Sequence, residues 1–148
     1  MKQTLLLLLV LFVCGISSHA QTKIDGIYYN LDNNSGTAAV TYRYDGTWSD
    51  NGRNTAMNTQ EYSEHVVTPE TVEYNGREYT VTGIAEYAFY GNENLKSITI
   101  PKTVTKIEDY AMSWCAGLTA IIVDPDNNNY CSEDGVLFTE DMKTLVQY

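Results

Sequence analysis

The sequence is poor in positive charge: 9 Lys and Arg stand against 19 Asp and Glu in 148 residues, a formal net charge of −10. A surface of that sign repels nucleic-acid phosphates and anionic lipid, so neither is a natural partner. The same acidity also serves simply to keep a chain soluble. Histidine is nearly absent, with only His19 and His65 present. A lone His65 makes no Ser-His-Asp triad, and a pairing with Cys115 or Cys131 is the one nucleophilic arrangement the residue types leave open. Cysteine is scarce too. Cys14, Cys115 and Cys131 form no CxxC, and only His65 could join them, so no zinc site is expected. Neither a phosphate-cradling Gly-Lys-Ser/Thr loop nor a GxGxxG occurs. These absences leave no catalytic group, no cofactor and no metal site to assign.

Long apolar runs are also missing, except for Leu5 to Val13. That run falls short of the roughly 20 residues needed to cross a bilayer. It follows Lys2 and precedes Ser18-His19-Ala20, which puts small residues at −3 and −1 of a cleavage site. Residues 1–20 therefore read as a secretory signal peptide. A lipoprotein signal ending at Cys14 fits less well, because Val13 occupies the place of a small residue. Removing Lys2 with the leader takes the formal charge from −10 to −11. In an oxidising compartment Cys115 and Cys131 could bond. Two cysteines are no disulfide framework, however, and two buried free thiols is the favoured reading.

What is abundant is β-forming residues and turn dipeptides. Twelve tyrosines, frequent Val and Thr, and Asn-Gly or Asp-Gly pairs predict a mainly β chain. Comparing the chain with itself gives a period of 23 residues. Residues 81–103 align without a gap on residues 104–126. Val81 falls on Val104, Ile84 on Ile107, Tyr87-Ala88 on Tyr110-Ala111, Leu95 on Leu118 and Ile98 on Ile121. Phe89 and Met112 exchange one apolar residue for another. Leu95, Ile98 and Ile100 bring the chain into a strand whose last two apolar residues point inward, leaving Ser97 and Thr99 on the other face. Pro101 stops it, having no amide hydrogen. Ala88 and Phe89 fall in a turn-like or short helical segment that must also point inward. One such unit cannot bury its apolar side alone, so neighbours must stack on it.

Only two units are complete, and the flanks supply the rest. His65 to Val72 echoes Ser97 to Val104, the end of an earlier unit. Glu73 to Thr80 contains Asn75-Gly76 and reads as an inserted hairpin, 73–80. Ile27 to Leu31 and Thr37 to Tyr44 alternate around a polar turn, a second hairpin, and Tyr28, Tyr29, Tyr42 and Tyr44 are expected as its cross-strand pairs. Asp45 to Gln60 reads as a long loop. The expected division is a cap and loop over 21–64, then repeats over 65–148 ending in a C-terminal hairpin at 134–148. The hairpins are expected to shield the ends of the stack.

The stretch Tyr87 to Ile107, Tyr-Ala-Phe-Tyr-Gly-Asn-x-x-Leu-x-Ser-Ile-Thr-Ile-Pro-Lys-Thr-Val-Thr-x-Ile, resembles the BspA-like leucine-rich repeat of bacterial surface proteins. Ile24 to Leu31 resembles the segment that often leads such arrays, and Asp134 to Phe138 the hairpin that often interrupts them. The resemblance implies a short right-handed leucine-rich-repeat solenoid of short strands and turns with flanking β-hairpins. It also implies a secreted or cell-surface protein acting in protein recognition or adhesion, not an enzyme. Its partner would be a host or neighbouring-cell surface protein. Trp114-Cys115 departs from the pattern, standing where Gly-Cys is usual, and Asn92 replaces the cysteine after Gly91. Such chains usually continue beyond the point where Tyr148 stands, so the alternative is a structural spacer or truncated fragment with no binding of its own.

The candidate partner-binding face is Ser97, Thr99, Ala120 and Ile122 on the open strand face, with Tyr90 and Trp114 in the turns. Ile122 is an apolar residue at an outward position, and exposed aromatics favour interface centres. Other groupings are bland. Glu133, Asp134, Glu140 and Asp141 surround a predicted hairpin and read as solvated turn residues rather than a glycosidase pair. Asp124 to Asn129 alternates oxygen ligands, but Asn129 and Gly135 stand where a calcium loop needs Gly and Glu, so an Asx-rich turn is expected. Oligomeric state and ligand are not legible.

Overall fold

The computed structural model describes residues 21–44, 57–58, 62 and 64–147. The expected signal peptide, most of the expected 45–60 loop and Tyr148 lie outside these residues. Among the described residues every regular element is a strand.

The chain begins as an antiparallel meander of β1 (Thr22–Ile24), β2 (Ile27–Asp32) and β3 (Thr37–Thr41). Asp25 and Gly26 both have positive φ, 47° and 89°, which is what a two-residue turn matched to strand twist requires. The tyrosines do not pair with one another across this hairpin. Tyr28 faces Thr41 and Tyr29 faces Val40, and Tyr29 is buried while Tyr28 meets the ring of Tyr62 edge-on at 6.5 Å. Tyr44 lies in β4 (Arg43–Tyr44), which pairs with β5 (Met57–Asn58), so a short strand falls within the stretch read as loop. Packing against the repeats won over pairing within the hairpin.

The next strands are β6 (Glu64–Val67), β7 (Thr71–Tyr74) and β8 (Arg77–Ile84). Asn75 and Gly76, at φ 52° and 73°, turn β7 back onto β8. β8 continues past this hairpin to Ile84. Its second half lies between β3, through Ala38↔Val81 and Val40↔Ile84, and β10 (Lys106–Ile107), through Ile107↔Ile84, both parallel. The N-terminal hairpin thus occupies the place of a preceding unit in the same sheet.

A second parallel sheet runs β6, β9 (Leu95–Ile100) and β11 (Ala120–Val123). Ser97 pairs with Ala120 and Ile98 with Ile121, an offset that reproduces the sequence period. Between the two sheets the turns are tied across units as well. Phe89 N–H donates to Ala111 O at 2.7 Å and Gly91 N–H to Ser113 O at 2.9 Å. Leu95, Ile98, Ile100, Val81, Ile84, Ala88 and Phe89 are fully enclosed, with Ala111, Met112 and Ile121 beneath them. Each aliphatic side chain so buried stabilises by about 1.5–3 kcal/mol. Gly117 lets the units approach, since a Cβ there would lie 2.2 Å from Glu93 O. The chain ends in β12 (Tyr130–Glu133), β13 (Val136–Thr139) and β14 (Leu145–Gln147), an antiparallel sheet. It covers the last unit: Ile121 N–H donates to Gly135 O at 3.0 Å, and Ile107 N–H to the Tyr130 hydroxyl at 2.9 Å.

Two buried asparagines close the turns. Asn92 donates from Nδ2 to Tyr62 O at 2.7 Å and accepts at Oδ1 from the N–H groups of Asn94 and Leu95, both at 2.9 Å. Asn127 does the same ahead of β12, donating to Pro101 O and Val104 O and accepting from Asn129 and Tyr130. Without such partners these backbone groups would be buried and unpaired. Asn92→Leu is expected to lower the unfolding free energy by about 2–4 kcal/mol, as several orphaned polar groups accumulate. Urea denaturation checks this, and a loss under about 0.5 kcal/mol would show that Asn92 is not a structural tie.

Candidate functional site

Alternation in β9 and β11 sends Ile98, Ile100 and Ile121 inward and leaves Ser97, Thr99, Ala120 and Ile122 on the outer face, while Leu95 is buried ahead of a register shift between β6 and β9. The parallel register brings these four together as rows, Ser97 beside Ala120 and Thr99 beside Ile122. β6 extends each row by one residue. His65 joins Ser97 and Val67 joins Thr99. Val67 is 65% exposed and Ile122 50%, so two solvent-facing aliphatics flank Thr99. His65 Nδ1 lies 2.7 Å from Ser97 Oγ. Val67 and His65 were not among the expected face residues, although the echo of His65 to Val72 in Ser97 to Val104 contains both positions.

Tyr90 and Trp114 do not share that face. They sit in the turns that precede β9 and β11. Tyr90 meets Tyr87 edge-on at 5.4 Å, and Tyr87 stacks on Tyr110 at 5.4 Å with an interplanar angle of 5°. Tyr110 is exposed, and among the described residues Trp114 is the most exposed large apolar side chain at 78%. Burial and the neighbouring Glu86 carboxylate, which also hydrogen-bonds it, hold the Tyr87 phenol above its ordinary pKa. Sequence reasoning had only Tyr90 and Trp114 here; the stacking of Tyr87 on Tyr110 follows from their identical place in the two units.

Asp141, Asp124 and Asn127 are committed to structural partners. Asp141 accepts from the Thr139 hydroxyl at 2.7 Å and from Lys143 Nζ at 3.0 Å, contacts that hold its carboxyl below the ordinary range. Glu133, Asp134 and Glu140 are exposed around the β12–β13–β14 turns. Asp124 Oδ1 accepts from Asp126 N–H at 2.8 Å, an Asx turn, and Asn127 is committed to the carbonyls of the preceding unit. Among the described residues no group of three or more His, Cys, Asp or Glu is placed to hold a metal ion. Cys115 and Cys131 are free thiols, each half-buried. Cys115 stands where the preceding unit has Asn92, and its Sγ donates to Phe89 O at 3.0 Å. Burial pushes its thiol pKa up.

The family model described as BspA type Leucine rich repeat region (6 copies) matches residues 68–138. No curated protein matches the chain. Among solved structures, a leucine-rich repeat protein from Bacteroides ovatus is 28% identical, with a TM-score of 0.53 over 71% of this chain and 24% of that one. A leucine-rich repeat protein from Bacteroides capillosus is 23% identical, TM-score 0.50, over 70% of this chain and 65% of that one. A protein from Faecalibacterium prausnitzii described as a leucine rich cell surface protein is 21% identical, TM-score 0.52, over 73% of this chain and 24% of that one. The last two likenesses establish the fold alone. The chain therefore spans 65% of the Bacteroides capillosus protein and about a quarter of the other two.

The Cys115 environment gives a direct check. In a Cys131→Ser background, iodoacetamide at neutral pH should modify Cys115 at least about tenfold more slowly in the folded chain than in urea, because burial disfavours the reactive thiolate. Equal rates would place the thiol in solvent.

Proposed function

We propose, from the match of residues 68–138 to the model described as BspA type Leucine rich repeat region, that the chain is an exported binding module whose stacked repeats form a short right-handed solenoid. It presents its β6–β9–β11 face to a protein on a host or neighbouring-cell surface. The observation that carries this reading is the pair of exposed aliphatics, Val67 and Ile122, set either side of Thr99 on a flat parallel sheet. Alternation places them there, and nothing about folding asks for apolar side chains at outward positions. A rigid sheet gives such a patch its geometry before binding, so little entropy is lost on contact. The leader-like residues 1–20 and the surface description of the Faecalibacterium relative support export. The reading includes no catalytic step.

The test is binding of labelled chain 21–148 to intact epithelial cells, before and after trypsin treatment of the cells. Saturable, trypsin-sensitive binding is expected, and Val67→Asp with Ile122→Asp should weaken it about tenfold or more with the fold retained, as loss of a central apolar contact does. Binding that survives trypsin, or that ignores both substitutions, would remove this face as the recognition surface.

A further inference from the structure

Trp114 stands where the preceding unit has a glycine. The equivalent residue of the preceding unit is Gly91, with φ 68°, and Trp114 itself has φ 62°. An L-residue in that region is strained, because its Cβ crowds the following carbonyl oxygen. A Cβ built on Gly91 would meet nothing within 4 Å, so a side chain at this place projects into solvent. Trp114 does so, at 78% exposure. The tryptophan therefore adds strain and leaves most of its own apolar surface in water. Tyr87 and Tyr110, at φ 59° and 57°, share this conformation in the same turns, so what sets Trp114 apart is its exposure, which neither folding nor solubility asks for.

Its surroundings indicate the occupant. Residues 85–94 and 108–117, the two turns that form this edge, carry Glu86, Glu93, Glu108 and Asp109 and neither lysine nor arginine. The nearest cations along the chain are Lys96, whose Nζ lies against Gly117 at the end of this edge, and Lys106, which is paired with Glu108 at 2.7 Å. Beside the carboxylates lie electron-rich ring faces: the stacked Tyr87 and Tyr110, and Tyr90 edge-on to Tyr87. Aromatic faces next to carboxylates attract a cation, tryptophan most strongly. We infer that the turn edge bearing Trp114 and Tyr110 is a second contact surface, and that it takes a basic peptide segment by laying an arginine or lysine side chain over Trp114. The inference deepens the recognition reading, on which it rests for its setting, by naming the chemistry of the partner at this edge.

The probe is a synthetic peptide of alternating Gly and Arg, titrated into isotopically labelled chain 21–148 while the indole N–H resonance of Trp114 is followed. Trp48 serves as internal control. A Gly-Glu peptide and a neutral cello-oligosaccharide are the comparison arms. The Gly-Arg peptide should shift the Trp114 resonance saturably, and added salt should weaken it. Trp114→Gly should weaken binding about fivefold to tenfold, the loss expected of one cation–π contact, with a Tm unchanged or raised. Trp114→Phe should retain most of the affinity. No shift with the Gly-Arg peptide, an equal shift with the oligosaccharide or the Gly-Glu peptide, or a lowered Tm in Trp114→Gly would each overturn the inference. Cell binding that persists when the peptide shift is absent removes this inference alone; a peptide shift without trypsin-sensitive cell binding removes the recognition reading alone.

Discussion

Everything in this molecule depends on parallel stacking at a fixed offset. A unit of 23 residues has short strands joined by turns, and few of its backbone groups can bond within the unit itself. They find partners in the next one: Thr105 N–H on Thr82 O, Thr119 N–H on Lys96 O, Asp124 N–H on Ile100 O. Buried amide and carbonyl groups must be paired, so the identity of the core matters less than the register that lets every turn bond to its neighbour. Asn92 and Asn127 serve the same constraint, filling the places where no backbone group reaches. Gly117 serves it differently, by leaving out the Cβ that would strike Glu93 O.

Stacking also creates two ends, and different local structures meet that problem. At the start, β3 supplies a parallel partner for β8 from a hairpin that shares no repeat pattern with it. At the finish, the β12–β13 turn and the Tyr130 hydroxyl accept N–H groups of the last units. The outer face of β6, β9 and β11 is left open. Its exposed aliphatics thus sit on hydrogen-bonded strands, whereas the aromatic edge sits in the turns. The candidate residues belong to two surfaces, separated by where the strand ends and the turn begins.

Much of this was legible from residues alone, because period and alternation are properties of the chain. The inward set Ile98, Ile100 and Ile121 and the outward set Ser97, Thr99, Ala120 and Ile122 follow from a strand period of two. The turn at Asn75-Gly76 follows from the positive φ both residues tolerate. The pairing of β3 with β8 was not legible, since parallel partners far apart in sequence share no local signal. The tyrosines misled for a related reason: Tyr29 alternates correctly, yet the repeat core, not another tyrosine, claims its ring.

By itself, then, the sequence determined the 23-residue unit, its apolar interior, its turns and the sign of its surface charge, all of which are encoded within one unit's length. Only the tertiary structure decided that the N-terminal hairpin stands in for a missing unit. It alone joined His65 and Val67 to the strand face and set Tyr90 and Trp114 apart from it. It alone revealed that Trp114 holds a glycine conformation in open solvent. Those facts depend on which backbones lie side by side, a relation between distant residues that no single unit contains.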